Sequence, residues 1–285
     1  MGTVDEIERD MAADPRAKGV CIQQGSYLLE LSLDWIVLRA SENIHHLLRG
    51  SHVTLIDEPL GRFVHAQALH DLRNLFSRLS GTTGIGRAYA VRLTDEHDLV
   101  DIAFQLSDGR VLLEAVPTSG SFGEYFGTVG GLISGLASSH RQALLDGAAR
   151  RMRALTGYDR VTLDCGDSRA ESSRGAFAAA HEADDLPTII ADAEAERVGI
   201  FPRDSEESSA RSVLLRSPSD EQREKLNAQG IRAMLRVPFT VAGSACEFCC
   251  ESRSPREPSF ELHAAAELFA QMFAMRLAME QATNR

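Results

Sequence analysis

The sequence predicts an α+β protein with two domains. Short segments with the alternating or β-branched pattern of strands occur in two separate groups. Segments with apolar residues every three or four positions, typical of helices, lie between and after these groups. A Gly- and Ser-rich stretch at 119–131 separates the groups and is typical of a linker. A chain of 285 residues is long enough to form two hydrophobic cores.

The charge and the hydropathy of the chain argue against several kinds of partner and location. A formal net charge of −11 and a pI near 5.3 argue against a nucleic-acid or anionic-membrane surface, because such surfaces need clustered Lys and Arg. No apolar run has the roughly 18 to 20 residues of a spanning helix. The start, MGTVDEIERDMAADPR, lacks the basic and apolar regions of a signal peptide. We therefore expect a cytoplasmic protein.

The first group of elements predicts a compact domain at 20–118, preceded by an N-terminal segment at 1–19. Five segments have the pattern of strands: 27–31, 35–39, 88–93, 100–105 and 110–115. Ser41 is the predicted N-cap of a short helix that continues to Leu48. A second helix is predicted at 66–79, and Asp108-Gly109 forms the turn of the last hairpin. The domain is therefore expected to contain a five-stranded sheet.

The second group predicts a domain at 132–285 that begins and ends with a helix. A long helix follows the linker and ends near Leu155. Later strands are predicted at 158–163, 233–239 and 246–250. A closing helix is predicted from about Ser259 to Ala282.

The closing helix has two apolar stripes, which lie about 140° apart around the helix axis. One consists of Ala266, Phe269, Phe273 and Leu277, and the other of Leu268, Met272, Met275 and Met279. One stripe can cover the sheet of its own domain. The second then either packs inside the same monomer or forms a two-fold interface. We expect a parallel homodimer through Leu268, Met272, Met275 and Met279, with help from the helix before Tyr158.

The five cysteines do not form a disulfide framework, because their number is odd and three of them are clustered. We expect reduced thiols. The stretch CEFCC at 246–250 contains a CxxC, but no second pair of Cys or His completes a zinc site. On a strand, Cys246, Phe248 and Cys250 share one face, so buried apolar cysteines are favoured over a metal or redox site.

Motifs of enzymes are missing from the sequence. It contains no GxSxG, no HExxH and no Walker A motif. We therefore predict no catalytic residues, no metal and no enzymatic activity.

Several stretches follow one another in the order of a known family. They are IQ at 22–23, ASEN at 40–43, DGRVLLE at 108–114, ALTGYDRV at 154–161, RSVLLRS at 211–217, GIRA at 230–233, SPR at 254–256 and ELHAAAELF at 261–269. From about residue 14 onward, the chain resembles the PAS and GAF domains of bacteriophytochromes. The resemblance implies a PAS domain followed by a GAF domain, each an antiparallel sheet with flanking helices. It also implies a knot, in which the segment around Ile22 passes through a loop at 202–219 that includes Arg211 and Leu214.

The family binds biliverdin through recognisable residues, and this sequence lacks them. The bilin-attaching cysteine corresponds to Met11, whose thioether cannot act as a thiolate nucleophile. Histidines of the family correspond to Gln222, Glu251 and Ser252. Aromatic wall residues that follow the first GAF strand in the family correspond to Asp164 and Gly166.

The stretch LPTIIADAEAE at 186–196 marks a further departure from the family. In the family, a segment similar to DDLP at 184–187 leads into a loop with a PASDIP motif and a helix beside the tetrapyrrole. Here a segment similar to the strand that follows this helix comes directly after Pro187. An alternative alignment places 182–187 on the PASDIP motif itself. The first alignment implies that part of the pocket wall is deleted.

These departures lead to a functional prediction. We expect no cofactor and a non-enzymatic signalling module that acts through protein contacts, as a homodimer and with a protein partner such as a phytochrome, a kinase or a regulator. The family implies a downstream PHY domain and histidine kinase, so either a partner supplies the output or the chain is a fragment. Rival hypotheses are covalent bilin at Cys21, a sensor of another small ligand in the remodelled cleft, and an enzyme.

Overall fold

The computed structural model describes residues 20–79, 84–118, 123, 125–136, 140–177, 185–202 and 212–283. The strands are β1 (Cys21–Gln23), β2 (Tyr27–Leu31), β3 (Val37–Ser41), β4 (Gly86–Val91), β5 (Val100–Ser107), β6 (Arg110–Pro117), β7 (Arg160–Cys165), β8 (Ser168–Ser173), β9 (Ile189–Ile190), β10 (Arg197–Phe201), β11 (Ala233–Val241) and β12 (Ser244–Ser252). The helices are α1 (His52–Leu55), α2 (Ala66–Leu79), α3 (Phe126–Ser134), α4 (Arg141–Thr156), α5 (Asp220–Ala228) and α6 (Phe260–Thr283). The predicted α+β class is confirmed.

The first sheet has the strand order β1-β10-β3-β2-β6-β5-β4, and its neighbours pair antiparallel. The five predicted strands are present, but the prediction of a five-stranded sheet is wrong. β10 comes from the second half of the chain, where Val198 pairs with Ile22 and Ile200 pairs with Ser41. Local patterns cannot show such a long-range pairing. α2 covers one face of this sheet, with Leu72 in a core that includes Leu29 and Ile102.

Two local predictions in the first half had different outcomes. Ser41 is not a helix N-cap, because it ends β3 and its Oγ accepts a hydrogen bond of 3.1 Å from the backbone N–H of Leu28. Only a short 3-10 helix at Ile44–His46 follows. The predicted hairpin turn is confirmed, since Asp108 and Gly109 both have positive φ angles, at 50° and 73°.

The second sheet has the order β8-β7-β12-β11-β9, also antiparallel. α4 and α6 pack on one face, and their buried residues form one core with Leu163, Phe248 and Leu235. The predicted linker at 119–131 is corrected from Phe126 onward, because α3 begins there. Val129 of α3 is buried in the same core, so this Gly-rich stretch folds against apolar partners. The single long helix predicted before Leu155 is instead α3 followed by α4.

The cysteines correct one expectation and confirm another. Cys165 and Cys246 form a disulfide, so the expectation of five reduced thiols is wrong. The two residues are 81 positions apart, and only the pairing of β7 with β12 brings them together. Cys246, Phe248 and Cys250 are all buried on the helix-covered face, as predicted. No group of three potential metal ligands occurs in the part of the chain that the structure describes.

The closing helix α6 separates its two apolar stripes as predicted. Ala266, Phe269, Phe273 and Leu277 are fully buried. On the opposite side, Leu268, Met275 and Met279 are 38%, 68% and 65% exposed, and Met272 is half-buried. Leu268, Met275 and Met279 therefore face away from the core of their own domain, whereas Met272 packs against it. None of the helices in the described ranges has the length and apolar character that crossing a bilayer requires.

β1 lies between two segments of the second half of the chain. On one side it pairs with β10. On the other side, the N–H of Gln23 donates to the carbonyl of Leu215 at 3.1 Å, and the N–H of Ser217 donates to the carbonyl of Cys21 at 2.8 Å. Leu214 is buried beside this crossing, whereas Arg211 lies outside the described residues. Threading of the segment around Ile22 through this loop stays a prediction.

Candidate functional site

Two of the positions that the sequence resemblance assigns to a bilin site, Gln222 and Glu251, lie on or beside one face of the second sheet. Alternate residues of a strand point to opposite faces. Because Leu163 of β7 and Phe248 of β12 face α4 and α6, Arg160 and Glu251 face the other way. We call this second surface the polar face. Gln222 lies in α5, which packs on it, and Met11 lies outside the described residues.

The polar face is centred on a buried ion pair. Arg160 and Glu251 are directly opposite on β7 and β12, and the Nε of Arg160 donates to Oε2 of Glu251. Each side chain is only 1% exposed. The ring of Phe177 lies over the guanidinium of Arg160 at 4.6 Å and over that of Arg253 at 3.8 Å. Desolvating two charges is costly, so the pair depends on close geometry and aromatic cover.

One carboxylate oxygen of this pair is not satisfied. Oε1 of Glu251 is buried and has no hydrogen-bond partner within the described ranges. Buried polar atoms without a partner are rare in folded proteins, so such an atom indicates either internal strain or a position for a donor from outside.

A second ion pair lies beside the first. Nε of Arg236 in β11 donates to Oε1 of Glu247 in β12 at 3.0 Å, and both side chains are partly buried. Nη1 of Arg236 also donates to the carbonyl of Leu186 at 3.0 Å. This arginine therefore ties the stretch that begins at Leu186 to the sheet.

α5 covers the remaining part of the polar face. Its Leu226 is fully buried against Ile231 and Met234. Leu186 and Ile190, from the stretch LPTII at 186–190, belong to the same cluster. Ile190 pairs with Met234 through β9 and β11. The stretch at 186–190 is thus part of a closed apolar cluster.

Gln222 has a structural role at the start of α5. The Oγ of Ser219 accepts the N–H of Gln222 at 3.2 Å, and the Oε1 of Gln222 accepts the N–H of Ser219 at 2.9 Å. This reciprocal arrangement is a capping box. The Nε2 of Gln222 also donates to the carbonyl of Asp185 at 3.0 Å. Both ends of its amide are therefore used within the protein.

Ser252 forms a hydrogen bond within the protein, and the thiol of Cys249 has a raised pKa. The Oγ of Ser252, which is 2% exposed, donates to Oδ2 of Asp159 at 3.2 Å. The N–H of Arg253 donates to the same oxygen at 3.0 Å. Burial raises the pKa of the Cys249 thiol well above its ordinary value, with the Glu251 carboxylate adding to the shift. Asp164, in contrast, is exposed at the end of β7.

No protein-family model and no curated protein matches this sequence. Among solved structures, the chromophore-binding domain of an unusual bacteriophytochrome, RpBphP3 from R. palustris, aligns with a TM-score of 0.75 and 21% identity, covering 95% of this chain and 99% of that one. The chromophore-binding domain of Stigmatella aurantiaca phytochrome P1 aligns with a TM-score of 0.72 and 21% identity, over 92% and 99% of the two chains.

The chain has the fold of a bacteriophytochrome chromophore-binding domain. The predicted fold is therefore confirmed. A longer bacteriophytochrome structure of RpBphP3 aligns with a TM-score of 0.76 and 20% identity over 96% of this chain. This chain spans 62% of that longer one.

Sequence reasoning did not identify Arg160 or Arg236 as residues of the site. A signal was available, because RVTL at 160–163 and CEFCCE at 246–251 alternate polar and apolar residues. That alternation predicts one apolar and one polar sheet face. The sequence did not indicate that the polar face is covered, because the cover depends on α5 and Phe177, which are distant in the chain.

In this bacteriophytochrome fold, buried polar side chains also join the first sheet to segments of the second half of the chain. The two carboxylate oxygens of Glu114 in β6 accept the N–H groups of Leu214 and Leu215 at 2.8 and 2.9 Å. Burial raises the pKa of Glu114 to about 7, although the two hydrogen bonds lower it. The amide of Gln23 likewise donates to the carbonyl of Ile189 and accepts the N–H of Ala191, both at 2.7 Å.

A second junction joins β4 to α6. Nη2 of Arg87 contacts Nδ1 of His263 at 2.9 Å and Oε2 of Glu267 at 2.7 Å. His263 is 1% exposed. Burial, and then the nearby Arg87 charge, lower the pKa of His263 to about 3. His263 is therefore neutral at physiological pH, and its Nδ1 can accept a hydrogen bond from the guanidinium of Arg87.

Proposed function

We propose that this chain is a non-enzymatic regulatory module with the bacteriophytochrome fold, that it binds no bilin, and that it acts through protein contacts. The observation that carries the proposal is the buried Arg160–Glu251 pair at the centre of the polar face. A tetrapyrrole needs a long apolar slot and counter-charges for two propionates. A buried ion pair beneath an aromatic cover offers neither.

The other residues at these positions support the same inference. Gln222 is used in a capping box, and Ser252 is bonded to Asp159. α5 rests on the apolar cluster with Leu186 and Ile190, where a chromophore would need space. The sequence supplies Met11 instead of an attaching thiol. We infer that these residues do not fit a bilin.

A spectrum tests this proposal. The chain is coexpressed with a heme oxygenase, purified, and compared with a bacteriophytochrome chromophore-binding domain prepared in the same host. We expect no red or far-red absorption. The variant Met11→Cys should not restore it, because a thiol alone supplies neither space nor counter-charges.

Two outcomes of the spectrum would count against the proposal. A red band that survives denaturation would show covalent bilin, with Cys21 as the first candidate for attachment. A red band that disappears on denaturation would show non-covalent bilin.

The protein contacts that we propose begin with a homodimer. Leu268, Met275 and Met279 form an exposed apolar row along α6, with Met272 partly buried beside it, and large exposed apolar patches are typical of interaction sites. A protein partner such as a phytochrome, a kinase or a regulator would receive the signal. The proposal keeps the division into 1–19, 20–118, 119–131 and 132–285, with α3 beginning inside the third segment.

An alternative function is the sensing of another small ligand on the polar face. The observation that favours it is Oε1 of Glu251, which has no hydrogen-bond partner among the residues that the structure describes. A ligand with an N–H or O–H donor would satisfy this atom. Native mass spectrometry of protein purified from its own host distinguishes the two functions. A single bound mass, lost in Glu251→Gln but kept in Leu33→Ala, would favour the sensor.

A further inference from the structure

The disulfide joins two strands at the end of their ladder. Cys165 and Cys246 are directly opposite, and theirs is the last paired position of β7 with β12. Their Cα atoms are 4.2 Å apart. This is the short spacing that occurs in antiparallel sheets where side chains come closest. Cys249 and Cys250 of β12 have no cysteine opposite them on β7, because Cys250 is opposite Val161 and Cys249 is opposite Thr162.

We propose that Cys165 and Cys246 form a reversible redox pair, which fastens the end of the second sheet and the start of α4 when oxidised and releases them when reduced.

The position of the pair makes local access possible. Both side chains are buried, at 1% and 5% exposure, so a reagent reaches them only after local opening. The turn at 166–167 follows Cys165, and exposed residues at 242–245 precede Cys246. Opening of the last rung therefore does not require the rest of the ladder to separate. Ends of ladders open at lower free energy than their centres.

The remaining thiols are less suited to exchange. Burial raises the pKa values of Cys249 and Cys250, so little thiolate forms there at neutral pH. Cys21 is buried in β1, where its backbone is bonded to Ser217. The structure thus singles out one pair of the five cysteines.

The pair is linked to α4 by its first turn. Nη2 of Arg141 donates to the carbonyl of Cys165 at 3.4 Å, and its Nε donates to Oγ of Ser168 at 3.4 Å. Nε2 of Gln142 donates to the carbonyl of Arg169 at 3.0 Å. α4 therefore starts on the turn between β7 and β8. Breaking the disulfide loosens this turn and with it the start of the helix.

The chemistry requires a small disulfide as oxidant, such as oxidised glutathione. The thiolate of Cys246, the less buried of the two, attacks one sulfur of that disulfide and releases one small thiolate. The thiolate of Cys165 then attacks the sulfur of Cys246 in the mixed disulfide and releases the second. Two protons leave the protein thiols and protonate the two small thiolates. In reduction by dithiothreitol, one of its thiolates attacks the sulfur of Cys246 and releases the thiolate of Cys165. Its second thiolate then releases the thiolate of Cys246 and closes the cyclic disulfide of oxidised dithiothreitol, and the two protons of the dithiol pass to the protein thiolates.

The experiment titrates the native full-length chain in buffers of reduced and oxidised dithiothreitol or glutathione. Samples are quenched in acid, unfolded, alkylated and mapped by mass spectrometry. We expect Cys165 and Cys246 to gain or lose their labels together, while Cys21, Cys249 and Cys250 stay labelled throughout. Amide hydrogen exchange at 140–146 and 160–173 should be about tenfold faster in the reduced chain. Exchange in α2, which lies in the first domain, should not change.

A matched variant serves as control. The double change Cys165→Ala and Cys246→Ala should show fast exchange at 140–146 under all redox conditions. The wild-type titration decides the question even if this variant does not fold. Independent labelling of the two cysteines, a disulfide that native protein never exchanges, or equal hydrogen exchange in both redox states would each overturn the proposal.

Discussion

The two faces of the second sheet are built by different chemistry. The face under α4 and α6 carries apolar side chains such as Leu163, Val237 and Phe248, all fully buried. The polar face carries the Arg160–Glu251 and Arg236–Glu247 pairs and has only a small apolar cluster under α5. The apolar face gains stability from every methylene that it buries. The polar face depends on each charge keeping its partner.

This difference teaches where the fold can tolerate change. An apolar face must keep its volume, whereas a paired charge can be exchanged for apolar groups if both partners change together. The ion pairs of such a face can therefore be replaced by apolar residues if both partners of each pair change together. Under this condition a binding surface can be lost while the domain still folds.

The largest expected effect is the loss of one partner of the buried pair. Glu251→Leu leaves the buried Arg160 without this partner and should lower the free energy of unfolding by about 3 to 5 kcal/mol. The double variant Arg160→Met with Glu251→Leu should differ from wild type by about 1 kcal/mol or less. Urea unfolding of the three proteins measures both values. A double variant as unstable as the single one would show that the two faces do not differ in this way.

Truncating a single side chain on the apolar face should lower the free energy of unfolding. No second substitution should restore it, because the side chain has no charge partner. Leu163→Ala removes a fully buried side chain of β7 and should cost about 2 to 5 kcal/mol. Leu33→Ala removes the same atoms from a side chain that is 57% exposed and should cost about 0.5 kcal/mol or less. Similar costs for the two variants in urea unfolding would contradict the assigned burial.

The sequence predicts amphipathic helices better than contacts between distant segments. α2 and α6 were predictable because their apolar residues repeat at helical spacing. β10 in the first sheet and the Cys165–Cys246 pair were not, because each depends on segments far apart in the chain. Glu251 could be placed only by family resemblance, since a charged strand residue is usually solvated. Its burial results from tertiary contacts that no local pattern shows.

Buried ionisable groups predict a pH dependence at the contacts of Glu114 with Leu214 and Leu215 and of His263 with Arg87, which the apolar face should lack. His263 has a lowered pKa of about 3, so its contribution to stability is complete above its unfolded pKa near 6.5 and is lost as pH falls. Glu114 has a raised pKa of about 7, so its contribution is complete below its unfolded pKa near 4.5 and is lost as pH rises. Between pH 5 and 6.5 the two contributions oppose each other.

Two variants separate these opposed contributions. From pH 5 to 6.5, the free energy of unfolding of His263→Gln should fall by about 1 to 2 kcal/mol relative to wild type, because Glu114 then acts alone. That of Glu114→Gln should rise by a similar amount, because His263 then acts alone. Urea unfolding at several pH values gives both slopes. Parallel pH profiles for the two variants would show that neither group titrates as its burial implies.

The smallest effect on protomer stability is expected on the outer stripe of α6, where the consequence is instead association. Met275 is 68% exposed, so Met275→Glu should change the free energy of unfolding of the protomer by about 0.5 kcal/mol or less. If the stripe forms the homodimer interface, the same change places an unpaired charge in that interface and should dissociate the dimer. Leu33→Glu introduces the same charge at an exposed apolar position of the first domain and should leave the dimer intact. Light scattering at micromolar concentration measures all three proteins, and a monomeric wild type would remove the stripe as an interface.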